Sequence, residues 1–250
     1  MAEALLALSG VTKRFGALTV SDGVDLALAP GEIHALIGPN GAGKTSLVHQ
    51  IAGTLMPDAG AIRFDGRDIT ALPVHERARL GLARSFQITS VVPSFTAAEN
   101  VALAVQARQG GTFRFLAPAS RDATLRRGAL AALETVGLAG RADHAAGLLS
   151  HGEKRSLELA IALALEPRVL LLDEPMAGTG HEESRRLVAL LQTLRGRFAI
   201  LLVEHDMQAV FALADRISVL VAGKVIASGH PDAVRVDPAV RAAYLGEGDL

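Results

Sequence analysis

Hydrophobic and polar positions alternate loosely over residues 5–13 and 20–28, which predicts two strands, with turn signals at Gly16 and at Pro30–Gly31. Residues 32–37 form a short strand that runs into a glycine-rich loop, and residues 44–52 then open a helix. Residues 61–64 read as a strand ending at Asp65–Gly66. Residues 97–106 and 122–136 read as helices; the second places Leu125, Ala129, Ala132, Leu133 and Val136 on one face. Between them, residues 110–120 contain Gly and Pro and have no clear period.

Further along, residues 153–165 read as a helix, with Leu157, Ala160, Ile161, Ala164 and Leu165 on one side. Residues 169–172 and 199–203 are continuous apolar strands, the pattern of a parallel sheet covered on both faces. Helices are predicted over 182–194 and 207–214, and strands over 217–221 and 225–228 around the turn Gly223–Lys224. No internal repeat, heptad pattern or low-complexity segment breaks this order.

Composition narrows the picture. The 250 residues suit one large α/β domain with an attached subdomain, and half of them are hydrophobic. A formal net charge of -1 with scattered Lys and Arg argues against a phosphate-backbone binder, so no nucleic-acid partner is expected. The absence of cysteine excludes disulfides, thiolate metal sites and Cys nucleophiles. Residues 1–16 lack the layout of a secretory leader, since Glu3 stands where a basic region belongs. The most apolar stretch, residues 161–172, is cut by Glu166, Pro167 and Arg168, so no membrane helix is expected.

The loop after the third strand carries the chemistry. Gly38-Pro39-Asn40-Gly41-Ala42-Gly43-Lys44-Thr45 fits G-x-x-x-x-G-K-[ST] at every constrained position. Glycines let successive backbone N–H groups turn inward around phosphate oxygens, and the helix that follows presents its dipole to the same anion. Lys44 places a cation at the β/γ-phosphates and the Thr45 hydroxyl reaches Mg²⁺. Ser46 either adds a hydroxyl to the α-phosphate or is a small helix residue. The ordinary alternative, a glycine turn between strand and helix, fits the context less well. Downstream, an apolar strand ends in Asp173-Glu174. Asp173 at a buried strand tip suits a Mg²⁺ ligand, and Glu174, one residue on, suits a general base for water. Alone this pair also fits an acidic turn; together with the loop it points to a nucleotide-hydrolysing site binding ATP and Mg²⁺.

Leu149-Ser150-His151-Gly152-Glu153 precedes that strand. It resembles the Leu-Ser-Gly-Gly-Gln signature of ATP-binding cassette (ABC) ATPases, departing at His151 and Glu153. Ser150 and Gly152 are kept: a hydroxyl and a close backbone N–H at a helix N-terminus, both suited to a γ-phosphate. The local alternative for Ser150 is a plain helix N-cap. The same resemblance assigns Phe15, in Lys13-Arg14-Phe15-Gly16, to stacking on adenine, where the family more often has Tyr; an ordinary core Phe is the competing reading. It makes Gln87 the glutamine that touches Mg²⁺ and the attacking water, and His205 the switch histidine on the γ-phosphate. After Asp173-Glu174-Pro175 the family usually has a Leu-Asp pair that couples the two ATP sites of a dimer, and here Thr179-Gly180 stands there.

The resemblance spans essentially the whole chain and implies a fold: a P-loop NTPase (ABC cassette) α/β core with an antiparallel β subdomain and an inserted helical subdomain. It divides the chain into 1–84 plus 150–250 for the core and β subdomain, and 85–149 for the helical insert. Arg84-Ser85-Phe86-Gln87, the insert around Gly110 to Arg127, the Pro-Met-Ala-Gly loop after Glu174, Val203-Glu204-His205-Asp206-Met207 and the tail Ala243-Tyr244-Leu245-Gly246-Glu247 resemble the longer ATPase subunit of branched-chain amino acid uptake systems. The implied partners are transmembrane permease subunits, a second ATPase cassette (a paralogue by family precedent, or a second copy of this chain) and, indirectly, a periplasmic solute-binding protein. The implied place is the cytoplasmic face of the membrane. Related cassettes drive lipopolysaccharide export, which is the alternative direction. Soluble ABC ATPases acting on DNA or ribosomes would need coiled coils, a duplicated cassette or basic surfaces. A P-loop kinase would not explain residues 149–153 or His205.

Overall fold

The structure, a computed structural model, describes residues 4–84, 91–109 and 122–244. Strands β1 (Leu6–Phe15) and β2 (Leu18–Leu28) pair antiparallel from Leu6 opposite Leu28 to Phe15 opposite Leu18, with bulges where the alternation loosens. Strand β3 (Ile33–Ile37) is buried at all its positions and leads through the glycine loop into α1 (Lys44–Ala52). Then come β4 (Ala59–Phe64) and the two-residue β5 (Arg67–Asp68), which extend the first sheet in the order β2-β1-β4-β5. Helix α2 (Val74–Arg79) and the short β6 (Leu82–Arg84) follow. Neither β5, α2 nor β6 has the length or period to be recognised from its own residues.

Helices α3 (Ala97–Gln109) and α4 (Ala123–Thr135) pack on each other and on α5 (His151–Ala164). Asp122 caps α4 by accepting hydrogen bonds from the N–H groups of Thr124 and Leu125. The chain then alternates β7 (Val169–Asp173), α6 (His181–Leu194), β8 (Ala199–Val203), α7 (Met207–Leu213) and β9 (Arg216–Val221). Strand β10 (Lys224–Gly229) returns antiparallel on β9, and α8 (Pro231–Val236) and α9 (Pro238–Tyr244) close the described chain. The second sheet runs β10-β9-β3-β8-β7-β6, parallel apart from β10. Strands β3, β7 and β8 are buried throughout because layers cover both faces. Each Leu, Ile or Val fully buried there contributes about 1.5–3 kcal/mol.

The two largest apolar clusters among the described residues lie on opposite faces of the parallel sheet. One lies between the first sheet, α1 and one face of the parallel sheet, and includes Leu6, Leu28, Leu47, Ile51, Ile62 and Leu171. The other joins α3, α4 and α5 to the opposite face, through Val101, Leu133, Leu157, Leu170 and Leu202. Helix α5 therefore packs on α3 and α4 and also touches β6. Arg77 of α2, 0% exposed, fastens the far end of α1: its guanidinium donates to the carbonyls of Gln50 and Ile51, each at 2.7 Å, and to those of Thr70 and Leu72. A cation at a helix C-terminus satisfies carbonyls the helix itself leaves open. Among the described residues no helix is long and apolar enough to cross a membrane.

Candidate functional site

The glycine loop lies against backbone on two sides. A Cβ on Gly38 would stand 2.0 Å from the Leu220 carbonyl oxygen, and one on Gly43 would stand 2.0 Å from that of Val20. Both have positive φ, 156° and 105°, so these positions accept only glycine without moving β9 or β2. The loop curls around Lys44, which is 6% exposed and whose Nζ donates to the carbonyls of Gly38 at 2.6 Å and Pro39 at 3.0 Å. Burial holds the ammonium below the ordinary lysine range, against the opposing pull of Glu174 and Asp173. Thr45 and Ser46 follow on the first turn of α1, half-buried.

Asp173 ends β7, two strands from β3, and is 4% exposed. Its Oδ2 accepts from Arg84 at 3.1 Å, and the same guanidinium lies 3.2 Å from Nδ1 of His49 on α1. Burial raises the Asp173 carboxyl above the usual range and the Arg84 cation draws it back. Oδ1 is buried with no hydrogen-bond partner among the described residues. An orphaned carboxylate oxygen beside a phosphate loop suits a hydrated divalent cation. Among the described residues no group of three or more His, Asp or Glu could hold a metal by itself. A hard cation placed here would therefore share its shell with phosphate oxygens and water.

Glu174 sits just beyond the strand with φ of +50°, in the left-handed region that costs a non-glycine residue about 1–3 kcal/mol. Its N–H donates to the Val203 carbonyl at 2.8 Å. Two residues that the sequence reading gave no role hold the surrounding loops. Glu204, fully buried, accepts from the N–H groups of Met176 at 2.8 Å, His205 at 2.9 Å and Asp206 at 3.3 Å. It thereby ties the loop after Glu174 to the turn carrying His205, whose side chain is exposed. Arg155 of α5 donates to the carbonyls of Glu174 at 3.2 Å, Pro175 and Ala177, and its Nε donates to His151 Nε2 at 3.4 Å. Such contacts join residues distant in sequence, so no local pattern announces them.

The signature turn is exposed and closed on itself. Ser150 Oγ accepts from the Glu153 N–H at 3.2 Å, and Glu153 Oε2 accepts from the Ser150 N–H at 2.8 Å, a complete capping box. Glu153, the departure from the family's Gln, is thus the residue that makes the box reciprocal, and the Ser150 N–H holds its carboxyl below the usual range. Ser150 serves as the plain N-cap that the sequence also allowed, its side chain also hydrogen-bonded to the Glu153 carboxylate. A Cβ on Gly152 would stand 2.6 Å from Glu183 Oε1 of α6, the end of a flexible side chain that can swing aside. A cavity of about 740 Å³ opens beside this turn, lined by Ser150, Gly152, Arg155 and Thr179 among others. Phe15 ends β1 and is 51% exposed, with Lys13 Nζ 5.5 Å from its ring centre. It is not a core residue, which removes the competing reading. Gln87, residues 110–121 and the tail beyond Tyr244 lie outside the described residues.

The geometry brings the loop of residues 38–45, Asp173, Glu174 and the turn at His205 to one end of the parallel sheet, outside the carboxyl ends of β3, β7 and β8. That arrangement defines a P-loop nucleoside triphosphatase. Residues 21–177 match the model of the ABC transporter family, and residues 224–249 match that of the branched-chain amino acid ATP-binding cassette transporter. The chain is 40% identical to the high-affinity branched-chain amino acid transport ATP-binding protein BraF of Pseudomonas aeruginosa, across 99% of this chain and 100% of that protein. Among solved structures it resembles an ATP-binding cassette of an ABC transporter in its ADP conformation, with a TM-score of 0.86 and 28% identity over 98% of this chain and all of the other. It also resembles a dimeric cassette in a post-hydrolysis state bound to ADP and Pi, with a TM-score of 0.76 and 25% identity over 90% and 98% of the two chains. The chain belongs to the ABC transporter family as an ATP-binding cassette.

Proposed function

We propose that this chain is the ATP-hydrolysing subunit of an uptake system for branched-chain amino acids or a related small organic solute, docked on transmembrane permease subunits at the cytoplasmic face of a membrane. The convergence of Lys44, Asp173 and Glu174 at one end of the sheet carries the hydrolytic part of this reading. The family match over residues 224–249 and the likeness to BraF support the solute class. In this reading the N–H groups of residues 38–43 cradle the phosphates, Lys44 bears on the β/γ-phosphates and Ser46 on the α-phosphate. Thr45 and Asp173 would hold Mg²⁺, with Gln87 added on the family resemblance. The cation shields phosphate charge when bound. Glu174 takes the proton of the attacking water, His205 bears on the γ-phosphate and Phe15 stacks on adenine. Ser150 and Gly152 face the nucleotide of a second cassette, a paralogue in the reading we favour, and the segment 85–149 forms the subdomain that meets the permeases. A solute-binding protein acts through those permeases.

Glu174→Gln keeps the shape of the side chain but removes its ability to accept a proton. Turnover should fall by about 10²–10⁴-fold while ATP still binds. The ATP-bound dimer should then accumulate in the assembled transporter, measured by sizing with and without ATP. Normal turnover in this variant would sink the general-base assignment.

A further inference from the structure

Between Glu174 and His181 the chain reads Pro175-Met176-Ala177-Gly178-Thr179-Gly180, with no ionisable side chain. The loop is nonetheless clamped from two sides. Two of its N–H groups reach outward, that of Glu174 to Val203 O and that of Met176 to Glu204 Oε1, each at 2.8 Å, while those of Ala177 and Thr179 donate within the loop. Three of its carbonyls, those of Glu174, Pro175 and Ala177, accept instead from Arg155. Thr179 turns inward, its hydroxyl donating to Met176 O at 2.7 Å.

Arg155 stands one helical turn after His151, on the same face of α5, and reaches His151 Nε2 with Nε while its two terminal nitrogens hold the loop. A guanidinium offers five donors in a rigid plane, so one side chain can fix several acceptors in a single geometry. Ser150 and His151 at the start of α5 are exposed. Glu174, with its left-handed backbone, thus hangs between an anchor in β8 and an anchor on the signature helix. A shift of α5 has a direct route to the backbone of Glu174 that needs no acid in the loop.

We propose that Arg155 is a positioning residue for hydrolysis, linking the signature turn at Ser150 and His151 to the carboxylate of Glu174. The inference rests on reading Glu174 as the general base. Engagement of the signature turn by a nucleotide on the facing cassette fixes α5, and through Arg155 fixes where the Glu174 carboxylate stands. The link takes the place of the Leu-Asp pair that the family usually carries where Thr179-Gly180 stands here.

The test is a double-mutant cycle in the complete transporter, with Arg155→Gln, Arg155→Lys, Glu174→Gln and the double variant Arg155→Gln/Glu174→Gln. Arg155→Gln should lower kcat about 10–100-fold, the usual cost of removing a group that orients a catalytic one, with KM for ATP within about twofold of native. Arg155→Lys should recover only part of this, because a point charge cannot span the carbonyls. Arg155→Gln should also retain ATP in a closed dimer although Glu174 is intact. In the Glu174→Gln background the Arg155 change should cost nothing further in rate, since both act through one carboxylate. Additive rate losses would overturn the proposal, as would a rise in KM matching the fall in kcat, or a lowered melting temperature that accounts for the lost activity. Native turnover by Glu174→Gln alone would strike at the general base, a result that the Arg155→Gln and Arg155→Lys arms do not produce.

Discussion

Around Lys44 the chain is buried, crowded and incomplete. The ammonium rests on carbonyls of its own loop, two glycines touch neighbouring strands, and Asp173 keeps a buried oxygen without a partner among the described residues. Around Ser150 the chain is exposed and complete. The capping box satisfies both residues that form it, and Arg141 pairs with Glu153 at 2.9 Å. Both regions aim a helix N-terminus outward, yet only the first has an internal deficit that a ligand would fill. A site that holds its own ligand must be built into the core, where desolvation strengthens charge. In the proposed function the surface at Ser150 meets a ligand brought by another chain, so it must be stable before that chain arrives and satisfies itself first.

Removing the cation gives the largest expected break in this contrast. Lys44→Ala should weaken ATP binding by about 2–5 kcal/mol, roughly 30-fold or more, as when one partner of a buried charge pair is lost. The fold should persist, since the hydrogen bonds of the ammonium go to its own loop. Equilibrium titration with ATP and a thermal melt measure the two halves, and near-native affinity would erase the distinction between the regions.

Phe15 lies outside both regions. Phe15→Ala should cost about 1–3 kcal/mol of nucleotide affinity if the ring stacks on a base, for GTP as for ATP, because stacking reads a π-face. With the ring half exposed, the melting temperature should hold. An unchanged affinity in the same titration would leave Phe15 as surface only.

Ser150→Ala sharpens the contrast with the smallest effect. Loss of the N-cap should cost about 1 kcal/mol of stability without any nucleotide present, lowering the melting temperature by roughly 2–4 °C. The affinity of this chain's own phosphate loop should not change. A fall in that affinity would show Ser150 acting within one chain, against the division drawn here.

Much of the fold was legible because local sequence carries its own physics. Helix α1 begins and ends where the pattern places it, since glycines at 43 and 53 bound it with left-handed backbone. The runs 169–172 and 199–203 are strands because only a sheet covered on both faces buries every residue. Strand β6 escaped notice, as three residues have no period, and it exists by pairing Leu82 with Val169 and Arg84 with Leu171. Helix α2 is short too: its six residues show no period of their own, and Arg77 is held by the carbonyls of α1.

By itself the sequence determined the chemistry of the nucleotide site, because phosphate recognition uses contiguous backbone and one lysine, and a contiguous constraint leaves a contiguous signature. Tertiary structure alone decided how that chemistry is held. Arg84 meets Asp173 across 89 positions of chain, Glu204 meets Met176 across 28 and Arg155 meets Glu174 across 19. It also decided that Phe15 is exposed and that Ser150 is capped. A side chain's partner depends on which surfaces the packed core brings together, and that is a property of the whole chain with no period or spacing to record it.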